Sequence, residues 1–354
     1  MHYNYKDDFR WNTTQPRFYF EYNSNDGLFT GGGAEVVRHG FRKNPASKHF
    51  ARANYAPRTG AANIRYNGLW NEVAGDWQAA LDGQFLFPKS YRNFFGLGNE
   101  TTLEERSENY YRARLYQYSI EPGLRITKNI LEFYAGLSLK ATNVEQDPNN
   151  IVSDPNSGIG AGEFDEQWFT GIRTAIKISD LDNNRNPRKG YRLNIQSHFK
   201  SGVQNSNDYF GTLRSDLEIY LSLHINREIT FANRIGAGHN IGEFPFYEAN
   251  TLGGTTNLRG FRGRRYSGRS SIYNNTEIRI ELFDFYNYLL GGKVGINGFY
   301  DVGRVWADSE SSSVWHKGYG GGIWLNIFDS FLVNGGIGFS EEGSIFTVKA
   351  GFLF

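Results

Sequence analysis

The chain has 354 residues, 38 basic and 37 acidic side chains for a net charge of +1, and no Cys. That near-neutral balance gives no pull toward nucleic acid, and without Cys there are no disulfides, thiolate metal ligands or thiol nucleophiles. Aromatics at 16%, 42 Gly, a negative mean hydropathy and the lack of any run of roughly 18 apolar residues exclude a helical membrane protein and suit strands with one oily and one wet face.

Met1 and His2 lead straight into polar sequence with no secretory leader before Tyr3, so the numbering reads as that of a mature or truncated chain. Residues 1–16 form a polar N-terminal segment, either a linker remnant or a piece lying inside the strands' enclosure, and residues 17–354 form one domain. The first predicted strand is Arg17 to Tyr22, followed by Phe29 to Gly40, Lys48 to Arg58, Ala61 to Glu72 and Asp76 to Phe87. In the last of these, Trp77, Ala79, Leu81, Phe85 and Phe87 share one side and Gln78, Asp82 and Gln84 the other, which is strand periodicity. The polar stretch Pro88 to Ser107 precedes Asn109 to Ile126, where Pro122 removes a ladder donor and predicts a bulge or break.

Alternation then sharpens. Leu131, Phe133, Ala135, Leu137 and Leu139 oppose Glu132, Tyr134, Ser138 and Lys140, and Ile172 to Ile178 repeats the pattern. Leu193, Ile195 and Phe199 oppose Arg192, Gln196, His198 and Lys200; Leu213, Leu217, Ile219, Leu221, Leu223 and Ile225 oppose Arg214, Asp216, Glu218 and His224. Ile229 to Asn240, Ile272 to Phe283, Lys293 to Gly303, Gly318 to Phe328, Phe331 to Ser340 and Ser344 to Phe354 complete about sixteen strands, an even number whose lengths fit a transmembrane antiparallel β-barrel. Connections after odd strands are long (Pro88 to Ser107, Asn143 to Phe164, Ile241 to Ser271, Arg304 to Val314). Those after even strands, such as Lys128-Asn129, Asn226-Arg227 and Asp329-Ser330, are mostly short, the asymmetry of outer-membrane barrels.

A barrel of this size leaves a lumen that its wall side chains cannot fill. The loop Ile241 to Ser271 is long for an irregular segment and carries apolar anchors at Tyr247, Leu252, Leu258, Phe261 and Tyr266, so it is expected to fold into the lumen. Arg259 near its tip needs an acceptor suited to a planar fork of donors. With Ile272, Ile278, Ile280 and Leu282 facing lipid, Glu277, Arg279 and Glu281 turn inward. With Val294, Ile296, Tyr300 and Val302 facing lipid, Asn297, Phe299 and Asp301 do the same.

The loop sequence Leu258-Arg259-Gly260-Phe261 and the strand sequence Phe299-Tyr300-Asp301-Val302-Gly303, two strands apart, resemble paired motifs of the bacterial surface-antigen superfamily of outer-membrane assembly and secretion barrels, the group of BamA, TamA and FhaC. The turn Asn186 to Gly190 resembles another of its features, and Phe352-Leu353-Phe354 looks like the terminal strand signal by which outer-membrane proteins are recognised for insertion. The resemblance implies that Arg259 pairs with Asp301, with Glu277 nearby, and that Phe299 and Gly303 belong to the strand motif. It also implies a Gram-negative outer-membrane location, polypeptide clients, accessory subunits, and contact with outer-membrane lipid and lipopolysaccharide. Members of the superfamily usually carry periplasmic domains before the barrel; with strands read from Arg17 onward, none is expected within these 354 residues.

The leading expectation is therefore a non-enzymatic barrel, without cofactor or metal, that inserts or translocates polypeptides. One alternative is a barrel that anchors or exports an enzymatic passenger once fused at its N-terminus; another is a passive porin, which has no need of the paired motifs. Arg262, Arg264, Arg265 and Arg269 are expected to form a solvated basic loop in preference to a lipopolysaccharide phosphate site. His198 and His224 read as lumen wall rather than metal ligands, and no Gly-x-Ser-x-Gly run or Ser/His/Asp constellation suggests a hydrolase. Trp70, Trp168 and Trp306 read as girdle residues. The seam where Arg17 to Tyr22 meets Ser344 to Phe354 is expected to be weak and able to open toward lipid.

Overall fold

The computed structural model describes residues 11–354 apart from 24–26, 41–43, 105, 205–207, 287–290, 309 and 329–330. Most of the polar N-terminal segment and the turn expected at Asp329-Ser330 thus lie outside the described residues. The strands are β1 (Thr13–Asn23), β2 (Gly27–Arg38), β3 (Ser47–Ala56), β4 (Ala61–Ala74), β5 (Trp77–Asn93) and β6 (Arg112–Lys128). Next come β7 (Leu131–Val144), β8 (Gln167–Leu181), β9 (Gly190–Gly202), β10 (Tyr209–Ile225) and β11 (Arg227–Gly242). After two three-residue strands, β12 (Asn250–Leu252) and β13 (Tyr266–Gly268), the wall resumes with β14 (Ser270–Tyr286), β15 (Gly291–Trp306), β16 (His316–Ile327), β17 (Phe331–Ser340) and β18 (Gly343–Ala350).

These form a 16-stranded antiparallel sheet in strict chain order, with β12 and β13 paired separately inside the β11–β14 connection. Among the described residues, helical structure is confined to short 3-10 turns. One connection touches walls that are far apart in the sheet: Arg92 of β5, Lys140 of β7 and Arg214 of β10 all meet residues 247–250, while Asp301 of β15 meets Arg259. The sheet therefore curls round that connection as a barrel. The outward residues of β10 are open, with Leu213 at 50%, Leu221 at 62% and Ile225 at 66% exposure, whereas Tyr220 and Glu218 between them are buried. So large an apolar belt suits lipid rather than water, and strand pairing satisfies the backbone within the belt.

The strand ends differ from expectation most at three places. β5 runs on to Asn93, into the stretch read as a connection from Pro88, pairing Ser90 to Asn93 with Leu115 to Arg112. β1 begins at Thr13, where Thr13 to Pro16 pair with Val37 to Ala34; Thr-Thr-Gln-Pro has no alternating apolar face, so periodicity does not reveal it. β18 stops at Ala350, and at Gly351 (φ +91) the chain turns away from the ladder. The order starts at β1 and ends at β18, and among the described residues no ladder joins these two strands. Of the bulge or break expected at Pro122, the structure shows the break. The β6–β7 ladder omits Glu121 and Pro122 and resumes in the same register, Ile120↔Leu139 and Gly123↔Gly136, because the missing donor costs a pairing without inserting a residue. Register shifts fall instead at Trp70/Ala74, Leu86/Ser90 and Glu281/Phe283.

Candidate functional site: the lumen loop and its two ionic anchors

The connection from β11 to β14 enters the lumen through a 3-10 turn, Phe246–Glu248. The ladder Asn250↔Gly268 to Leu252↔Tyr266 then closes its neck. Beyond that neck Leu252, Leu258, Phe261 and Tyr266 pack with Val305 of β15 in a fully buried knot. Burying each such side chain contributes about 1.5–3 kcal/mol, which offsets part of the entropy of ordering the loop. Phe261 and Tyr266 also meet the His316 ring, Tyr266 stacking on it at 3.7 Å.

Arg259 projects from this knot onto the inner faces of β14 and β15. It donates from its backbone N (2.9 Å) and Nε (2.8 Å) to Asp301 Oδ2 and from Nη2 to Oδ1 (2.8 Å). Its Nη1 reaches Glu277 Oε2, and the guanidinium carbon sits 3.6 Å from the centre of the Phe299 ring. The fork geometry and the ring face are both arrangements a Lys could not reproduce. Burial by itself would weaken the Arg259 proton, but Asp301 and then Glu277 outweigh it and hold the guanidinium above its ordinary value. Asp301 is wholly buried and Glu277 nearly so. Glu277 also accepts from Arg279 Nε at 2.8 Å.

Backbone shape completes the seat. Gly260 has φ +89, and a Cβ there would come within 2.6 Å of Phe339 O. Across from it, a Cβ on Gly318 would lie 1.8 Å from Arg259 O, so β16 carries Gly where the loop backbone touches the wall. Ser340 Oγ donates to Gly260 O at 2.7 Å. Gly303, of the same strand as Asp301, faces Leu252 in similar fashion. Gly318→Val is expected to push the Arg259 segment off the wall at a cost of about 1–3 kcal/mol. Faster proteolysis within residues 253–265, with heat stability of the barrel wall little changed, is the outcome to look for; unchanged proteolysis would show the contact to be dispensable.

A second anchor, which the sequence reading missed, holds the start of the loop. Glu248 accepts from Lys140 Nζ at 2.6 Å and Lys200 Nζ at 3.1 Å. Burial alone would raise the Glu248 carboxyl, but the two ammonium groups hold it well below the usual carboxylate range. Arg92 Nη1 donates to Tyr247 O at 2.6 Å, and Arg214 donates from Nη2 to Glu248 O and from Nε to Asn250 Oδ1. The signal was present in strand parity, which turns Lys140 and Lys200 inward.

The basic run is only partly the solvated loop expected: Arg262 and Arg264 are exposed, whereas Arg265 and Arg269 are tied down. Arg265 is almost fully buried, bonded to Glu342 and to Thr101, and Arg269 chelates Asp308 while donating to Gly242 O at 2.6 Å. Arg262 reaches Glu108 at 3.8 Å, and Arg264 opens into the lumen. The cause is a cap of outer connections over the barrel mouth: Phe94, Phe95, Tyr111, Ile151 and Val152 form one apolar cluster with Phe246 and Tyr247 of the loop. Phe352 and Phe354 lie in the lumen rather than on a strand. Arg279 places its guanidinium 3.8 Å from the Phe352 ring centre and donates to Phe354 O at 2.9 Å.

Residues 78–331 match the Omp85 superfamily domain, while no curated protein matches the chain. Among solved structures, the chain is similar to BamA from Haemophilus ducreyi lacking POTRA domains 1-3 (TM-score 0.70, 13% identity, 96% of this chain and 70% of that one covered). It is also similar to CdiB from Acinetobacter baumannii (TM-score 0.62, 11% identity, 96% and 59% covered) and CdiB from Escherichia coli (0.60, 13%, 95% and 60%). At these identities the likeness is one of fold, and the chain spans well under two thirds of either CdiB chain. The matched family domain takes in the lumen loop, Glu277 and Asp301 and extends over more than half of the sequence; the chain belongs to the Omp85 superfamily of outer-membrane β-barrels.

Proposed function

We propose that this chain sits in the Gram-negative outer membrane and inserts polypeptides into it or moves them across it, without catalysing a covalent reaction. The observation that carries the reading is the loop seated by Arg259 on Asp301 and Glu277, since a passive pore gains nothing from filling its lumen with an ion-paired, wall-fitted segment. The sheet edges support it as well. β1 and β18 lack a common ladder among the described residues, and an unpaired strand edge is a template for an incoming strand. Polypeptide clients, and accessory subunits that deliver them, are the partners this reading requires.

The test is reconstitution. The purified chain in vesicles of Escherichia coli lipid is expected to speed the folding of a urea-denatured outer-membrane barrel polypeptide, or to carry an unfolded secreted polypeptide into the vesicle interior. Small-solute conductance with neither polypeptide activity would favour the porin reading and end this one.

A further inference from the structure

The lumen holds an open cavity of about 1730 Å³ whose lining includes Arg92, Arg214 and Arg264. None of the three has a carboxylate within ion-pair distance among the described residues. Arg92 and Arg214 are bonded to the carbonyls of the adjacent residues Tyr247 and Glu248 and to Asn250, so they converge on one point of the loop and spend only part of their donor capacity on neutral acceptors. Arg264 makes no hydrogen bond or ion pair with any of the described residues. It is also held in the left-handed region, φ +58, uncommon for a residue with a side chain. Asn93, which follows Arg92 in β5, donates to Gly263 O at 3.0 Å and fixes that conformation beside the Arg92 wall. The backbone is thus held in a sparsely populated region by a wall contact while the side chain itself is left without a partner among the described residues, an arrangement that points to a use.

The surrounding acids do not neutralise the cluster. Glu248 is already shared by Lys140 and Lys200, and Glu108 pairs with Arg112 at 2.8 Å and Arg262 at 3.8 Å. Asp216 also lines the cavity, bonded among the described residues only to the neutral amide of Asn194 at 2.8 Å, and its one charge cannot balance three guanidinium groups. Arg92, together with burial and Arg214, lowers Arg264 to about 9, and Glu248 offsets this only in part, the effect of like charges gathered in excess of their counter-charge. We propose that Arg92, Arg214 and Arg264 form an anion site in the lumen that takes a phosphate group. A carboxylate brings one charge, whereas a phosphate brings up to two and several acceptor oxygens for convergent guanidinium donors. The same cavity is lined by Tyr19 and Leu28 near one sheet edge and by Ile345, Phe346 and Val348 of the other. The phosphate can therefore come from solution or on a lipid headgroup reaching in between β1 and β18.

Calorimetric titration of the purified chain in dodecyl maltoside micelles separates the sources, using inorganic phosphate in one arm and dihexanoyl phosphatidic acid in the other. Saturable binding of at least one is expected, weakened tenfold or more in Arg264→Gln, a change that breaks no hydrogen bond or ion pair among the described residues. Arg262→Gln should bind as the unmodified chain does. Binding of phosphate alone assigns a soluble anion, binding of phosphatidic acid alone assigns a lipid headgroup, and binding of both assigns recognition of the phosphate itself. Absence of binding in both arms, or affinities unchanged in both Arg264→Gln and Arg214→Gln, would overturn the site.

Discussion

Arg259→Ala is expected to leave a folded, inserted barrel whose loop is released, with residues 253–265 cut rapidly by protease and polypeptide activity lost. The substitution strips Asp301 of its fork and leaves a fully buried carboxylate facing no cation. Breaking one partner from a buried pair costs about 3–5 kcal/mol. Solvent screening, which reduces exposed pairs to about 0–1 kcal/mol, does not apply at a carboxylate this inaccessible. Glu277 retains Arg279, so Glu277→Gln should release the loop far less than Asp301→Ala, and Asp301→Ala should match Arg259→Ala. Arg259→Lys keeps the charge but neither the fork nor the contact with the Phe299 ring, and should behave closer to Ala than to Arg. Equal protease resistance in Arg259→Ala and the unmodified chain would show that the apolar knot alone seats the loop.

A loss of similar size is expected for Glu248→Ala. It leaves Lys140 and Lys200 together in the lumen wall with no counter-charge, at a cost of about 3–5 kcal/mol. Here the release should begin at the other end of the loop, near Phe246 and Tyr247, and loosen the apolar cap they share with the outer connections. Linkage gives a matching pH dependence. Since the folded-state carboxyl is held below its ordinary value of 4.5, its contribution is present in full above that value and disappears only as pH falls through the lower folded-state value. A spin label in the loop should therefore stay immobile to pH 4.5 and loosen in stronger acid, and in Glu248→Ala it should already be mobile at neutral pH. A label equally immobile in both proteins would remove Glu248 as an anchor.

Strand parity was the most legible part of this chain, because a one-residue error would move a whole apolar set to the wrong face. It placed Glu277 and Asp301 on inward faces from Ile278, Ile296 and Tyr300 alone, and the structure puts both carboxylates beside Arg259. What periodicity could not show were features set by distant partners. Lys140 and Lys200 were readable as inward, yet their acceptor Glu248 lies 108 and 48 residues away in sequence, beyond any local pattern. Arg265 looked solvated because Glu342 and Thr101, its acceptors, come from two other connections. The strand ends failed for opposite reasons. Thr13 to Pro16 form strand without an apolar rhythm, and Phe352 and Phe354 keep the rhythm after the chain has left the ladder at Gly351.

The most direct test of a client-handling seam is to lock it. Cys pairs, one on β1 and one on β18, joined by crosslinkers of graded length, would fix the two sheet edges at known separations in a chain that has no Cys of its own. Short crosslinks are expected to abolish polypeptide insertion or translocation in reconstituted vesicles while leaving the barrel folded, and long or cleaved ones to restore it. Full activity with the edges held by the shortest crosslink would contradict passage of clients between β1 and β18.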